Sequence, residues 1–191
     1  MPAGVLALQG DFQAHAGALE RLGVASIPVR TVGELEAADG LVLPGGESTT
    51  MLKLAMEEGL FEPLRRRIAS GMPVLATCAG IVLLARDVTP EQPSLALLDV
   101  SVLRNAYGRQ IMSAVIPLRT SGALGPPDTM EGVFIRAPRI TATGPDVEVL
   151  AWRGEDPVLV RQASILAATF HPELTDDLRV HRLFADSLSE S

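Results

Sequence analysis

The sequence predicts an α/β fold in three layers: a mostly parallel central sheet flanked by helices, with an antiparallel extension in its second half. Three observations carry this. In the first half, short uninterrupted apolar runs alternate with amphipathic helical stretches; such runs suit strands buried on both faces, and the alternation suits βαβ units. From residue 98 the helical spacing gives way to short strand patterns separated by turns rich in Gly and Pro, which is hairpin chemistry. One further helical pattern closes the chain.

Residues 4–9 read as a buried first strand. Asp11 is placed to cap a helix whose Phe12, Ala16, Leu19 and Leu22 share one face. Residues 25–29 form a second strand, and Thr31 and Glu34 have the T-x-x-E spacing of a capping box that opens a short helix. A third strand over 41–43 precedes helices over 48–56, opened by Ser48 or Thr49, and over 61–69. Residues 74–77 are the fourth strand, and the apolar run after Cys78 reads as a helix. In the second half, 98–103, 113–118, 132–135, 147–152, 157–161 and 165–170 read as strands, placed as an extension of the same sheet. The final helix covers 176–188, with Val180, Leu183, Phe184 and Leu188 on one face.

A length of 191 residues suits a single domain over 1–191 with a substantial core. Sixteen basic against 23 acidic residues leave a net charge of -7, which argues against nucleic acid as a partner. Aromatic residues at 4% leave little for base stacking. A single cysteine forms no internal disulfide, and with three scattered histidines it makes no metal site, so no metal or bound cofactor is expected. Residues 1–10 lack a basic, signal-like start, and no apolar run reaches the ~18 residues of a membrane span. The expectation is a cytoplasmic protein that does not enter a membrane.

Ligands of such sheets bind at the C-terminal ends of the strands, and three candidate elements lie there. Cys78 sits between an apolar strand and an apolar helix with small neighbours, the setting of a nucleophile on a sharp turn at a helix N-terminus. Its plainer reading is a small buried hydrophobe. His171 follows a strand in Phe170-His171-Pro172-Glu173-Leu174. Pro172 keeps His171 out of helical geometry, and Glu173 two residues on is placed to orient the ring, as in a catalytic triad; a capped turn is the plainer reading. Gly45-Gly46-Glu47-Ser48 lets backbone N–H groups converge on an anion such as an oxyanion, or is simply a tight turn. His15 and His181 read as structural or surface residues, His181 lying off the apolar face of its helix and solvated.

Together these elements resemble the class I glutamine amidotransferase fold. The finer match is to the glutaminase subunit of pyridoxal 5'-phosphate synthase. It is carried by Leu8-Gln9-Gly10, Leu43-Pro44-Gly45-Gly46-Glu47-Ser48-Thr49-Thr50-Met51, Thr77-Cys78-Ala79-Gly80, Arg104-Asn105-Ala106-Tyr107-Gly108-Arg109-Gln110, Gly132-Val133-Phe134-Ile135-Arg136-Ala137-Pro138 and Phe170-His171-Pro172-Glu173-Leu174. Many class I glutaminases carry a glutamine four residues after the cysteine; here that residue is Val82.

The resemblance implies hydrolysis of L-glutamine, with Cys78 as nucleophile, His171 as acid and base, and Glu173 orienting it. It implies substrate binding by Gly46, Glu47, Ser48, Arg104, Ile135 and Arg136, and an oxyanion hole near Gly46 and Ala79. An arginine suits the substrate carboxylate and Glu47 its ammonium. It further implies a partner, a synthase subunit that takes up the ammonia, and little activity in the isolated chain. A glutaminase serving another synthase, a stress protein with a reactive cysteine and a non-catalytic binding module are the alternatives. RNAYGRQ and TCAG speak against the first, and the joint presence of the three elements speaks against the others.

Overall fold

The computed structural model describes residues 2–106 and 114–189. The first half runs β1 (Ala3–Leu6), α1 (Phe12–Arg21), β2 (Ser26–Val29), α2 (Val32–Glu36), β3 (Gly40–Leu43), α3 (Ser48–Glu57), α4 (Phe61–Ala69), β4 (Val74–Thr77) and α5 (Ala79–Leu84). The second half runs β5 (Ala85–Thr89), β6 (Leu98–Leu103), β7 (Ala114–Thr120), β8 (Thr129–Phe134), β9 (Arg139–Thr143), β10 (Glu148–Arg153), β11 (Asp156–Gln162), β12 (Ile165–Ala168) and α6 (Arg179–Leu188). Two of the foreseen caps form: Asp11 accepts from the Ala14 N–H at 3.2 Å, and Thr31 and Glu34 make a reciprocal capping box, whereas α3 is capped by Glu47 and not by Ser48 or Thr49.

The main sheet has the order β2-β1-β3-β4-β12-β11-β10-β7-β8. Its first five strands are parallel and the rest antiparallel. Every residue of β1, β3, β4 and β12 is buried, as strands covered on both faces require. Successive side chains part to opposite faces. Leu41, Leu43, Val74 and Ala76 join a core with α2 to α5, while Val42 and Leu75 join one with α1 and α6. That is the three-layer arrangement.

The antiparallel part corrects one expectation. The 98–103 strand does not extend the main sheet: β6 pairs with β5 and β9 in a separate three-stranded sheet. Burial along β6 alternates strictly, and Val100, Val102 and Ile140 pack into the same core as α3 to α5. The small sheet has only one apolar face to bury, so it covers the main sheet instead of lengthening it. The Asp99 N–H, bonded to Gln162 Oε1 at 2.8 Å, ties it to β11. The β5 and β9 strands were not foreseen: Arg86, Asp87, Arg139 and Thr141 break their apolar runs. Residue 113 of the expected 113–118 strand lies outside the described residues.

Candidate active site

The strand pairings send β1, β3, β4, β12 and β8 in the same direction, so their C-terminal ends share one edge. A cleft of about 280 Å³ opens there, small enough to suit a small polar molecule. Gly46, Glu47, Ser48, Cys78, Ala79, Arg104, Ile135, Arg136 and His171 all line it. Glu173 stands behind His171, its side chain 1% exposed. The residues singled out from the sequence are therefore brought together, from segments as far apart as 46 and 173. Tyr107, Gly108, Arg109 and Gln110 lie outside the described residues.

Cys78 makes the turn between β4 and α5 with φ 47 and ψ -105, a conformation rare outside glycine that costs on the order of 1–3 kcal/mol. Small neighbours make the turn possible: a Cβ on Gly80 would collide with the Leu43 carbonyl. The Cys78 N–H is held by the Ala168 carbonyl at 2.9 Å, and its Sγ points to the Ile135 carbonyl at 3.9 Å. Among the described residues five non-glycines have positive φ, and Cys78, Asn105 and Arg136 line this cleft. Strain gathers where side chains must be aimed.

His171 Nδ1 lies 2.6 Å from Glu173 Oε1. Pro172 opens a short 3₁₀ turn, Pro172–Leu174, that brings the carboxylate under the ring. Burial alone would lower the His171 pKa. Hydrogen bonds to Cys78 and Glu173, with the charge of both, outweigh burial and raise it to about 10. Burial would raise the Glu173 pKa, but the His171 bond and the nearby histidines hold it below the ordinary carboxylate value. With Nδ1 taken by Glu173, Nε2 is the ring nitrogen left to face Cys78.

The glycine turn is packed against this pair. A Cβ on Gly45 would come within 2.5 Å of His171 Cε1 and 3.3 Å of Cys78 Cβ. A Cβ on Gly10 would strike the Gly45 carbonyl. Gln9 Oε1 accepts from the Glu47 N–H at 3.0 Å. Glu47 is the N-cap of α3, accepting from the N–H groups of Thr49 (3.1 Å) and Thr50 (2.8 Å) and from Thr50 Oγ1 (2.7 Å). Partial burial opposes ionisation, but these donors carry its pKa down to about 2. Arg104 reaches Glu47 Oε1 at 3.5 Å and Thr49 Oγ1 at 3.0 Å. The two charged residues thus meet any ligand from fixed positions.

One expectation fails outright. His181 is fully buried, not solvated. It lies three residues before Phe184 and seven before Leu188, which puts it on the buried face of α6 after all. Its Nε2 is 3.0 Å from His15 Nδ1, and His15 Nε2 is 3.1 Å from Thr77 Oγ1 and 3.4 Å from Glu173 Oε2. No motif in the sequence marks this cluster, and Gln9 has no role of its own there. The signal for His15 was its place with Leu19 on the buried face of α1.

The chain matches the SNO glutamine amidotransferase family over residues 5–190. It belongs to that family. The PdxT component of pyridoxal 5'-phosphate synthase from Frankia casuarinae is 53% identical to this family member over 191 residues, covering 98% of this chain and 95% of that one. The PdxT proteins of Thermus thermophilus (53%, covering 96% of this chain and 95% of that one) and Koribacter versatilis (55%, 96% and 94%) are related to a similar degree. A solved glutamine amidotransferase superposes with a TM-score of 0.91 at 47% identity, over 99% of this chain and 100% of that one. A GMP synthase component from Thermoplasma acidophilum shares the fold at TM-score 0.74 and 19% identity, over 100% of this chain and 94% of that one. The architecture is that of the class I glutamine amidotransferases.

Proposed function

We propose that this chain hydrolyses L-glutamine to L-glutamate and ammonia through Cys78, His171 and Glu173, and delivers the ammonia to a pyridoxal 5'-phosphate synthase subunit in a cytoplasmic complex. Family membership supplies the reaction class. The observation that carries the residue roles is the 2.6 Å His171–Glu173 bond beside a cysteine held at positive φ in the same cleft. No helix among the described residues is long and apolar enough to cross a membrane.

The Cys78 sulfur, as the thiolate beside protonated His171, attacks the side-chain amide carbon of glutamine. The carbonyl oxygen becomes an oxyanion, received by backbone N–H groups at Gly46 and Ala79. His171, which keeps its proton to about pH 10, donates it to the leaving nitrogen as the C–N bond breaks. Ammonia departs and a γ-glutamyl thioester remains. Neutral His171 then takes a proton from water, whose oxygen attacks the thioester; glutamate leaves and His171 is again protonated. Glu173 keeps the imidazole in register throughout. Arg104 holds the substrate carboxylate, Glu47 the ammonium, and Ser48, Ile135 and Arg136 complete the walls.

Cys78→Ala tests this directly. Assayed with the synthase subunit present, the folded variant releases no ammonia from glutamine above background. Substantial release would overturn the assignment. The Gly45-Gly46 turn is the element that docking of the synthase would set, so turnover rises on complex formation; equal rates with and without the partner would contradict this part.

A further inference from the structure

Glu173 has two carboxylate oxygens, and the mechanism uses one. Oε1 holds His171. Oε2 is buried without a full hydrogen bond and faces His15 Nε2 at 3.4 Å. Behind His15 stands His181, at 3.0 Å from Nδ1. Both histidines are fully buried. They come from α1 and α6, helices on the same side of the sheet. Two imidazoles in a desolvated pocket under a triad need a reason, because buried polar rings are costly unless they are paired.

Resting on the triad reading above, we propose that His15 is a positioning residue for the reaction: its Nε2–H steadies the second oxygen of Glu173, and His181 locks His15 in the tautomer that does so. Two observations fix the direction of the chain. If His15 Nε2 were unprotonated, its lone pair would face an anionic oxygen at 3.4 Å in a buried site. The proton on Nε2 removes that repulsion and also reaches Thr77 Oγ1 at 3.1 Å. His15 Nδ1 is then an acceptor and takes the N–H of His181 Nε2. That leaves His181 Nδ1 as a bare lone pair, and this atom has no partner among the described residues. The opposite direction would bury an orphaned N–H there, which folded proteins avoid more strictly than an idle acceptor. The donors run from His181 to His15 to Glu173, and from His171 to Glu173.

The arrangement also keeps both rings neutral. Burial lowers the His15 pKa, and the nearby His171 cation lowers it further, against the raising charges of Glu173 and Asp11. Burial lowers His181 too, joined by His15 and Arg21 and opposed by Glu173. The 3.4 Å separation between His15 and Glu173 is longer than a full hydrogen bond and is the kind of contact that tightens in the working complex.

The test begins with the wild-type chain, labelled with 15N-histidine, at pH 7. Its three histidines give three ring systems, and His15 and His181 are expected as neutral Nε2–H tautomers. An Nδ1–H or cationic His15 overturns the proposal, and this readout needs no variant to fold. The second arm compares His15→Leu with His15→Gln in complex with the synthase subunit. His15→Leu lowers kcat about 10- to 100-fold with KM within about twofold of wild type, a usual range for loss of an orienting partner. It also moves the acid limb of kcat to higher pH, because Glu173 loses the Nε2–H donor that favours its ionised form. His15→Gln, whose amide N–H can stand near the Nε2 position, recovers most of both. Wild-type kcat and acid limb in His15→Leu, or a His15→Gln no better than His15→Leu, overturns it. Glu173→Gln separates the two readings: activity lost there but unchanged in His15→Leu sinks the His15 role alone, whereas wild-type activity in Glu173→Gln sinks the triad.

Discussion

The parallel and antiparallel halves of the sheet meet at one cleft and bring different things to it. The parallel strands end in groups held by the backbone: the glycine turn after β3, Cys78 after β4 and His171 after β12. Gly45 is buried, as is Cys78 at 6% exposed, and the His171 side chain, at 12%, is nearly so. The rest of the chain brings Ile135 and Arg136, on the loop that follows β8 of the antiparallel half, and Arg104, on the loop that follows β6 of the small sheet. Chemistry needs atoms placed to a fraction of an ångström and sits on the rigid side. Recognition of the charged ends tolerates looser geometry: Arg104 comes from a loop of the second half, and Glu47 from the N-cap of α3. Substitutions at Gly45, Cys78, His171 and Glu173 should therefore strike kcat, and those of Arg104, Ile135 and Arg136 KM.

Below Cys78 itself, the largest effect should come from Glu173→Gln. An amide presents the wrong atom to one of its two histidines, and kcat should fall about 10²- to 10⁴-fold with KM little changed. Gly45→Ala follows. The added methyl meets His171 Cε1 at 2.5 Å and displaces the ring or the turn; a loss of about 10²-fold in kcat is expected for such a shift. Arg104→Ala, on the loop side, should raise KM for glutamine about tenfold and spare kcat, as expected for one charge-assisted contact. If Arg104→Ala lowered kcat as much as Gly45→Ala does, the division between the halves would not hold. Steady-state ammonia release at varied glutamine, with the synthase subunit present, reads all three.

The smallest effect is on stability. Burial, with His15, lowers the His181 pKa from 6.5 to about 3. The unfolded chain takes up that proton first, so the contribution is complete above pH 6.5 and is lost as pH falls toward 3. Replacing His181 by Phe should make stability fall less steeply between about pH 6.5 and 4 than in wild type, measured by denaturant unfolding. An unchanged slope would mean that His181 is not buried neutral.

The same division governs how much could be read from the sequence. Uninterrupted apolar runs, capping residues and short motifs expose a parallel half, so β1 to β4, the helices between them and the residues at their ends were legible. The second half hides its pairing. Residues 98–103 look like any half-buried strand, and only the three-dimensional position of β9 takes them out of the main sheet. His171 and Glu173 announce each other by adjacency through Pro172. His15 and His181, 166 positions apart, have no such signal. A single polar residue beside an apolar stripe reads as surface until a second one is found facing it.

The central claim is that Cys78 forms the covalent bond to the substrate carbonyl, activated by a histidine that Glu173 holds. The most direct measurement is mass spectrometry of the chain in complex with its synthase partner, following exposure to a diazoketone analogue of glutamine. The account predicts one adduct per chain, on the peptide that carries Cys78, suppressed by excess glutamine and lost in His171→Ala. An adduct on another residue, or ammonia release that continues once Cys78 is fully modified, would contradict it.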